Sequence, residues 1–79
     1  MATVNEIRIA SDTIRLGQLL KLAGIAQSGG ATKALLSAGV RVNGVPETRR
    51  GRQLRDGDLV EAGGEAARVV AAGSAGPGS

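Results

Sequence analysis

The residue pattern predicts a small α+β domain, with two helices followed by a run of short strands. Three observations carry this. Leu16, Leu19, Leu20 and Ala23 recur at i, i+3, i+4 and i+7, and Ala31, Ala34, Leu35 and Ala38 recur at the same spacing. Each set makes one apolar stripe along a helix. Val40-Arg41-Val42-Asn43-Gly44-Val45 reads as strand, tight turn and returning strand, because Asn-Gly most readily takes the two positive φ values of a type I′ turn. After it, Asp56-Gly57-Asp58 and Gly63-Gly64 punctuate short apolar segments as turns do.

Residues 1–3 are expected to be loose. Ile7 and Ile9 alternate with Glu6 and Arg8, so Val4 to Ile9 makes a first strand. Ser11-Asp12-Thr13 supplies a turn, with polar oxygens suited to capping the first helix. That helix and its exit run from Ile14 to Ile25. Gly24 stands where a helix ends in the left-handed conformation, and Ile25 is the apolar residue that packs back on it. Gln27-Ser28-Gly29-Gly30 leads to a second helix over Ala31 to Ala38, with Ser28 as its N-cap and Gly39 as its end. Two short helices so closely joined pack as an antiparallel or angled pair.

In the hairpin Val40 and Val42 share a face and Arg41 points the other way. Pro46 lacks an amide hydrogen, which places the returning strand at a sheet edge. Gln53-Leu54-Arg55 then leads into the Asp56-Gly57-Asp58 turn. Leu59 to Glu61 and Ala66 to Ala71 are the last two strands. Residues 1–71 form one domain, and the Gly/Ser/Ala/Pro-rich residues 72–79 are expected to be a disordered tail.

Composition narrows the chemistry. The 79 residues contain no Cys, His, Phe, Tyr or Trp, so the core is built from Leu, Ile, Val and Ala. Without cysteine there are no disulfides and no thiolate sites, and without histidine the commonest general base and metal ligand is missing. Ser11, Ser28 and Ser37 therefore have no histidine with which to build a Ser-His-Asp site. Asp56 and Asp58 flank a glycine and read as turn residues, not as a catalytic or metal-binding pair. No metal or other cofactor is expected, and an enzyme is disfavoured on inventory alone. No apolar run approaches the roughly 20 residues of a membrane span. With no apolar signal segment at its start, the chain is expected to be cytoplasmic.

Charge is distributed unevenly. From Lys33 to Arg55 stand six basic residues (Lys33, Arg41, Arg49, Arg50, Arg52 and Arg55) against one acid, Glu47. From Asp56 onward, Arg68 faces Asp56, Asp58, Glu61 and Glu65. A cationic patch of this kind is the footprint of a polyanion site. The hairpin is expected to present Arg41, Arg49, Arg50 and Arg52 close together, and arginine's planar fork matches phosphate bidentately. Gly29-Gly30 before a helix, with Lys33 one turn on, could seat one phosphate. The full nucleotide-binding loop pattern is missing. The absence of aromatic residues argues against a reader that stacks single-stranded bases. It fits a protein that recognises the backbone and shape of folded RNA, although charge alone fits DNA as well.

The runs Ile14-Arg15-Leu16-Gly17-Gln18-Leu19-Leu20-Lys21-Leu22-Ala23-Gly24, Ser28-Gly29-Gly30 with Lys33, and Val40-x-Val42-Asn43-Gly44 together resemble the αL RNA-binding domain named after small-subunit ribosomal protein S-four. Glu47-Thr48-Arg49-Arg50-Gly51-Arg52 and Leu54-x-x-Gly57-Asp58 resemble its small stand-alone bacterial branch. The resemblance covers about residues 4 to 70. It implies the αL motif in an α+β fold, two short helices packed on a small, mainly antiparallel sheet in the order β-α-α-β-β-β. It also implies binding of structured RNA by the helix pair and hairpin, with rRNA or another ribosome-related RNA, and the ribosome or its subunits, as expected partners; the protein is expected to be a non-enzymatic monomer. The positions that match the family's contacts are Arg15, Ser28, Gly29, Gly30, Lys33, Arg41, Asn43, Arg49, Arg50 and Arg52, and Lys21 and Arg55 are also expected to contact RNA. Two positions depart from the family pattern: no arginine precedes the second helix, and Gly17 stands where aspartate is usual.

Two other readings compete. A β-grasp sulfur carrier shares the Val-Asn-Gly hairpin and a nearby diglycine, but it must end in a free Gly-Gly. Here Gly63-Gly64 is internal and the sequence ends in Gly76-Pro77-Gly78-Ser79. A protein-interaction adaptor could also use the basic face on an acidic partner.

Overall fold

The computed structural model describes residues 4–71. The loose start expected for 1–3 and the disordered tail expected for 72–79 lie outside the described residues. Seven strands and two helices run in the order β1 (Val4–Ile9), β2 (Thr13–Arg15), α1 (Leu16–Leu22), α2 (Gly29–Ala38), β3 (Val40–Val42), β4 (Val45–Glu47), β5 (Gln53–Arg55), β6 (Leu59–Ala62) and β7 (Glu65–Ala71). Five of the strands make one sheet in the order β1-β7-β6-β3-β4, and β2 and β5 make a separate two-stranded ribbon. Within that sheet only the β1–β7 pair is parallel, so it is mainly antiparallel as expected.

The helices cover one face of this sheet. Leu16, Leu19 and Leu20 are fully buried and join Val40, Val42, Val60, Ala67 and Val69 in a single core. Alternation in β3 buries Val40 and Val42 and turns Arg41 outward. At the hairpin, Asn43 (φ 53°) and Gly44 (φ 81°) both take positive φ, the geometry of a type I′ turn. Pro46 lies in β4, the edge strand, where its missing amide costs no ladder bond. Gly63 and Gly64 form the two-residue turn between β6 and β7. The diglycine of the sulfur-carrier reading is thus built into a hairpin of the central sheet.

Three expectations need correction. The ribbon of β2 and β5 was not visible in the sequence, and the order β-α-α-β-β-β omits both its strands and one strand of the five-stranded sheet. Ile14 and Arg15 pair with Leu54 and Gln53 instead of opening the first helix. Three-residue strands carry too little alternation to be told from helix starts or turns. The helix itself ends as the sequence implies. Gly24 at φ 74° donates to the Lys21 carbonyl at 3.1 Å and Ile25 to that of Leu20 at 3.0 Å, a Schellman motif.

The second helix starts two residues earlier than expected, at Gly29, because Ser28 caps it: the Ala31 amide donates to Ser28 Oγ at 3.1 Å. Its inward stripe is also rotated. Thr32 is buried and Leu35 and Leu36 are half-buried, whereas Ala34 and Ala38 are exposed. Alanine is small and near neutral in preference, so larger neighbours set which side of this helix faces the core. Thr32 is accommodated there by a bond from its hydroxyl to the Ser28 carbonyl at 3.2 Å.

Candidate nucleic-acid interface

The segment after the hairpin is organised by one buried carboxylate. Glu47 closes β4 on the core-facing side and is only 8% exposed. Its Oε2 accepts from the Thr48 amide at 3.0 Å and the Arg49 amide at 3.1 Å. Its Oε1 accepts from Arg52 Nη1 at 2.8 Å, and Arg49 Nε approaches Oε2 at 3.4 Å. These bonds favour the charged form. The Arg52 guanidinium foremost, then the Arg49 amide, hold the carboxyl at about 2, below its ordinary 4.5, against the opposing effect of burial.

Glu47 therefore folds the Arg49–Arg52 turn back on itself. That turn in turn docks on the start of α1. Leu16 N donates to the Arg52 carbonyl at 2.8 Å, and Gly17 N to the Arg50 carbonyl at 2.9 Å. These bonds do the work of an N-cap, since Arg15 at the cap position makes no side-chain cap bond. Gly17 lies against the turn, where a Cβ would stand at ordinary contact distance, 3.5 Å, from both Cβ and O of Arg50.

The consequence is that the four clustered arginines separate. Arg52 and Arg49 are engaged with Glu47, although Arg49 remains largely exposed. Arg50 projects into two adjoining clefts. One, of about 290 Å³, is lined by Arg15, Lys21 and Arg50, with Gln18 and Gly29. The other, of about 630 Å³, lies between α2 and the turn and is lined by Lys33, Leu36, Ser37, Thr48 and Arg50. No acidic residue lines either cleft. Arg15, Lys21, Lys33 and Arg50, from three separate stretches of the chain, thus share one face. Gly29 brings the start of α2 to the same place, where the first helical amides lack intrahelical acceptors. Gly30 follows in that first turn, and Ser28 is occupied as the cap.

Three expected contact residues lie elsewhere. Arg41 is on the outer face of the sheet, opposite Glu61 in register and lining a shallow depression with Glu61 and Glu65. Strand alternation sends it there once its two valine neighbours enter the core. Asn43 is committed to the fold: its Nδ2 donates to Asp58 Oδ1 at 3.0 Å and its Oδ1 accepts from Leu59 N at 2.9 Å. Arg55 lies in β5 opposite Thr13, in a depression shared with Asp12 and Asp56. Asp56 and Asp58 behave as turn residues. Asp56 Oδ1 accepts from Ala71 N, and Asp58 Oδ2 accepts from Arg55 N. Among the described residues no cluster of three potential metal ligands occurs, and no helix is long and apolar enough to cross a membrane. The residue missed was Glu47. Its signal was present, as the lone acid among six bases.

A family model described as the S4 domain matches residues 7–70. The chain belongs to the S4 domain family. The match spans every element of the fold except the first half of β1 and the last residue of β7. The chain is also similar to a Bacillus subtilis (strain 168) protein named "Probable ribosome maturation protein RlbA". The two are 53% identical over 58 residues, covering 72% of this chain and 82% of the relative. In this S4 domain, then, the two clefts around Arg50 are the place where cations from α1, α2 and the Arg49–Arg52 turn converge without an opposing carboxylate.

Proposed function

We propose that this S4 domain is a non-catalytic RNA-binding module, which seats the backbone of structured RNA on the face centred on Arg50. The observation that carries the reading is the convergence of Arg15, Lys21, Lys33 and Arg50 around two acid-free clefts. Arginine and lysine contacts to phosphate supply affinity and register independent of base identity. The A-form backbone offers a regular array of such phosphates. The name of the Bacillus relative points to ribosomal RNA, or an RNA of an assembling ribosomal subunit, as the natural target.

Fluorescence anisotropy with a structured rRNA fragment and a matched unstructured strand, repeated over a salt series, tests this. Tighter binding to the structured RNA is expected, with log Kd changing steeply with log salt as counterions are released. Absence of binding to both RNAs at low salt would overturn the reading.

A further inference from the structure

The two clefts that share Arg50 differ in chemistry. The smaller is walled by charged and polar groups and glycine backbone, which suits phosphate. The larger, between α2 and the turn, has Lys33 and Arg50 among its lining residues but is walled by Leu36, with the exposed Ser37 and Thr48 beside it. Leu36 packs its inner side against the core, so its outward side is a fixed apolar surface. A phosphate gains nothing from that surface. A planar, partly apolar group with hydrogen-bonding edges gains burial against Leu36 and partners in the two hydroxyls. The volume, about 630 Å³, falls among small-ligand sites, roughly 300–1,000 Å³.

We propose that this cleft receives one unpaired nucleobase, whose own phosphate lies on Arg50. The inference rests on the RNA-binding reading and narrows it from structured RNA in general to a helix carrying an extruded nucleotide. Arg50 is the reason base and phosphate are paired in this way. It lines both clefts, so a nucleotide anchored on its guanidinium has its base within reach of the Leu36 wall. Bases within an A-form helix are paired and stacked, and only bulges, loops and ends can offer one to a cleft of this kind.

The test compares three RNAs with one stem sequence: fully paired, with a single-nucleotide bulge, and with the same bulge made abasic. The bulged RNA should bind about tenfold more tightly than the other two, as expected of one good base contact. Ser37→Leu and Thr48→Leu each fill the cleft from an exposed position. Either should erase that preference, so that the variant binds the bulged and the fully paired RNA equally, with circular dichroism verifying the fold. Equal binding of all three RNAs, or a bulge preference that survives both variants, overturns the base site and leaves the RNA-binding reading standing. Failure of all three RNAs to bind at low salt overturns that reading and this inference with it.

Discussion

The two faces of this small sheet both carry cations, and they use them differently. On the outer face Arg41 stands opposite Glu61, and Arg68 opposite Glu6, so positive and negative groups alternate across the strands. These groups are neighbours in register without an ion pair within 4 Å, and such placement of opposite charges weakens the net field on that face. On the helix-covered side Arg15, Lys21, Lys33 and Arg50 face two clefts with no acid in the lining. A phosphate placed there would meet unopposed positive charge. The number of arginines in a stretch is a poor guide to a site. What matters is which of them face a surface with no carboxylate in its lining.

The sharpest way to break this contrast is Arg50→Glu. The Arg50 side chain is exposed, and only its backbone carbonyl holds α1, so the fold should survive. A charge-assisted hydrogen bond is worth about 1.5–3 kcal/mol, and reversal adds repulsion. RNA affinity in anisotropy should fall at least tenfold, more than for any other single change on this face.

Glu47→Gln comes next, because it removes the group that shapes the turn and touches no ligand. Arg52 and Arg49 lose their charged partner, so the melting temperature should fall and RNA affinity should drop by less than for Arg50→Glu. If Glu47 acts by positioning Arg50, its effect on binding should largely vanish in an Arg50→Gln background, a coupling that a purely global destabilisation would not produce. Acid unfolding gives a second readout. The carboxyl is held at about 2 when folded against an ordinary 4.5. Its lowered value means that its stabilisation is fully present above about 4.5 and is lost as pH falls through about 2. Stability between pH 7 and 5 should therefore be insensitive to this group, and Glu47→Gln should flatten the acid limb below that range.

Arg15→Gln and Lys21→Gln sharpen the comparison at lower amplitude. Each cation faces the smaller cleft without a partner in it. Each substitution should weaken binding uniformly across RNA sequences and reduce the salt slope by about one. A slope unchanged by both would remove the smaller cleft from the interface.

Much of the architecture was legible in the sequence. The Leu16-Leu19-Leu20 stripe, the Ser28 cap, the Asn43-Gly44 turn and the Gly24 helix end are local devices, decided by residues within a few positions of one another. The β2–β5 ribbon was not, because Ile14 and Leu54 meet across forty residues and each sits in a strand of only three. The site divided along the same line. The family resemblance marked Arg15, Lys33 and Arg50, and Lys21 stood in the same matching run. What separated Arg50 from Arg49 and Arg52 was the burial of Glu47, a tertiary fact carried by a side chain standing on the core side of an edge strand.

Arg41→Gln is expected to have the smallest effect, and it is the most discriminating for that reason. Position 41 lies in the basic stretch, and a reading from charge alone gives it the same weight as Arg50. Strand alternation instead puts it on the face away from both clefts, beside Glu61 and Pro46. Its removal should leave Kd and the salt slope for structured RNA within error of the parent. Exposed cross-strand charge pairs are worth about 0.2–1 kcal/mol, so stability should change only slightly. A loss as large as that from Lys21→Gln would mean that RNA wraps over the sheet edge onto the outer face, and the division between the two faces would fail.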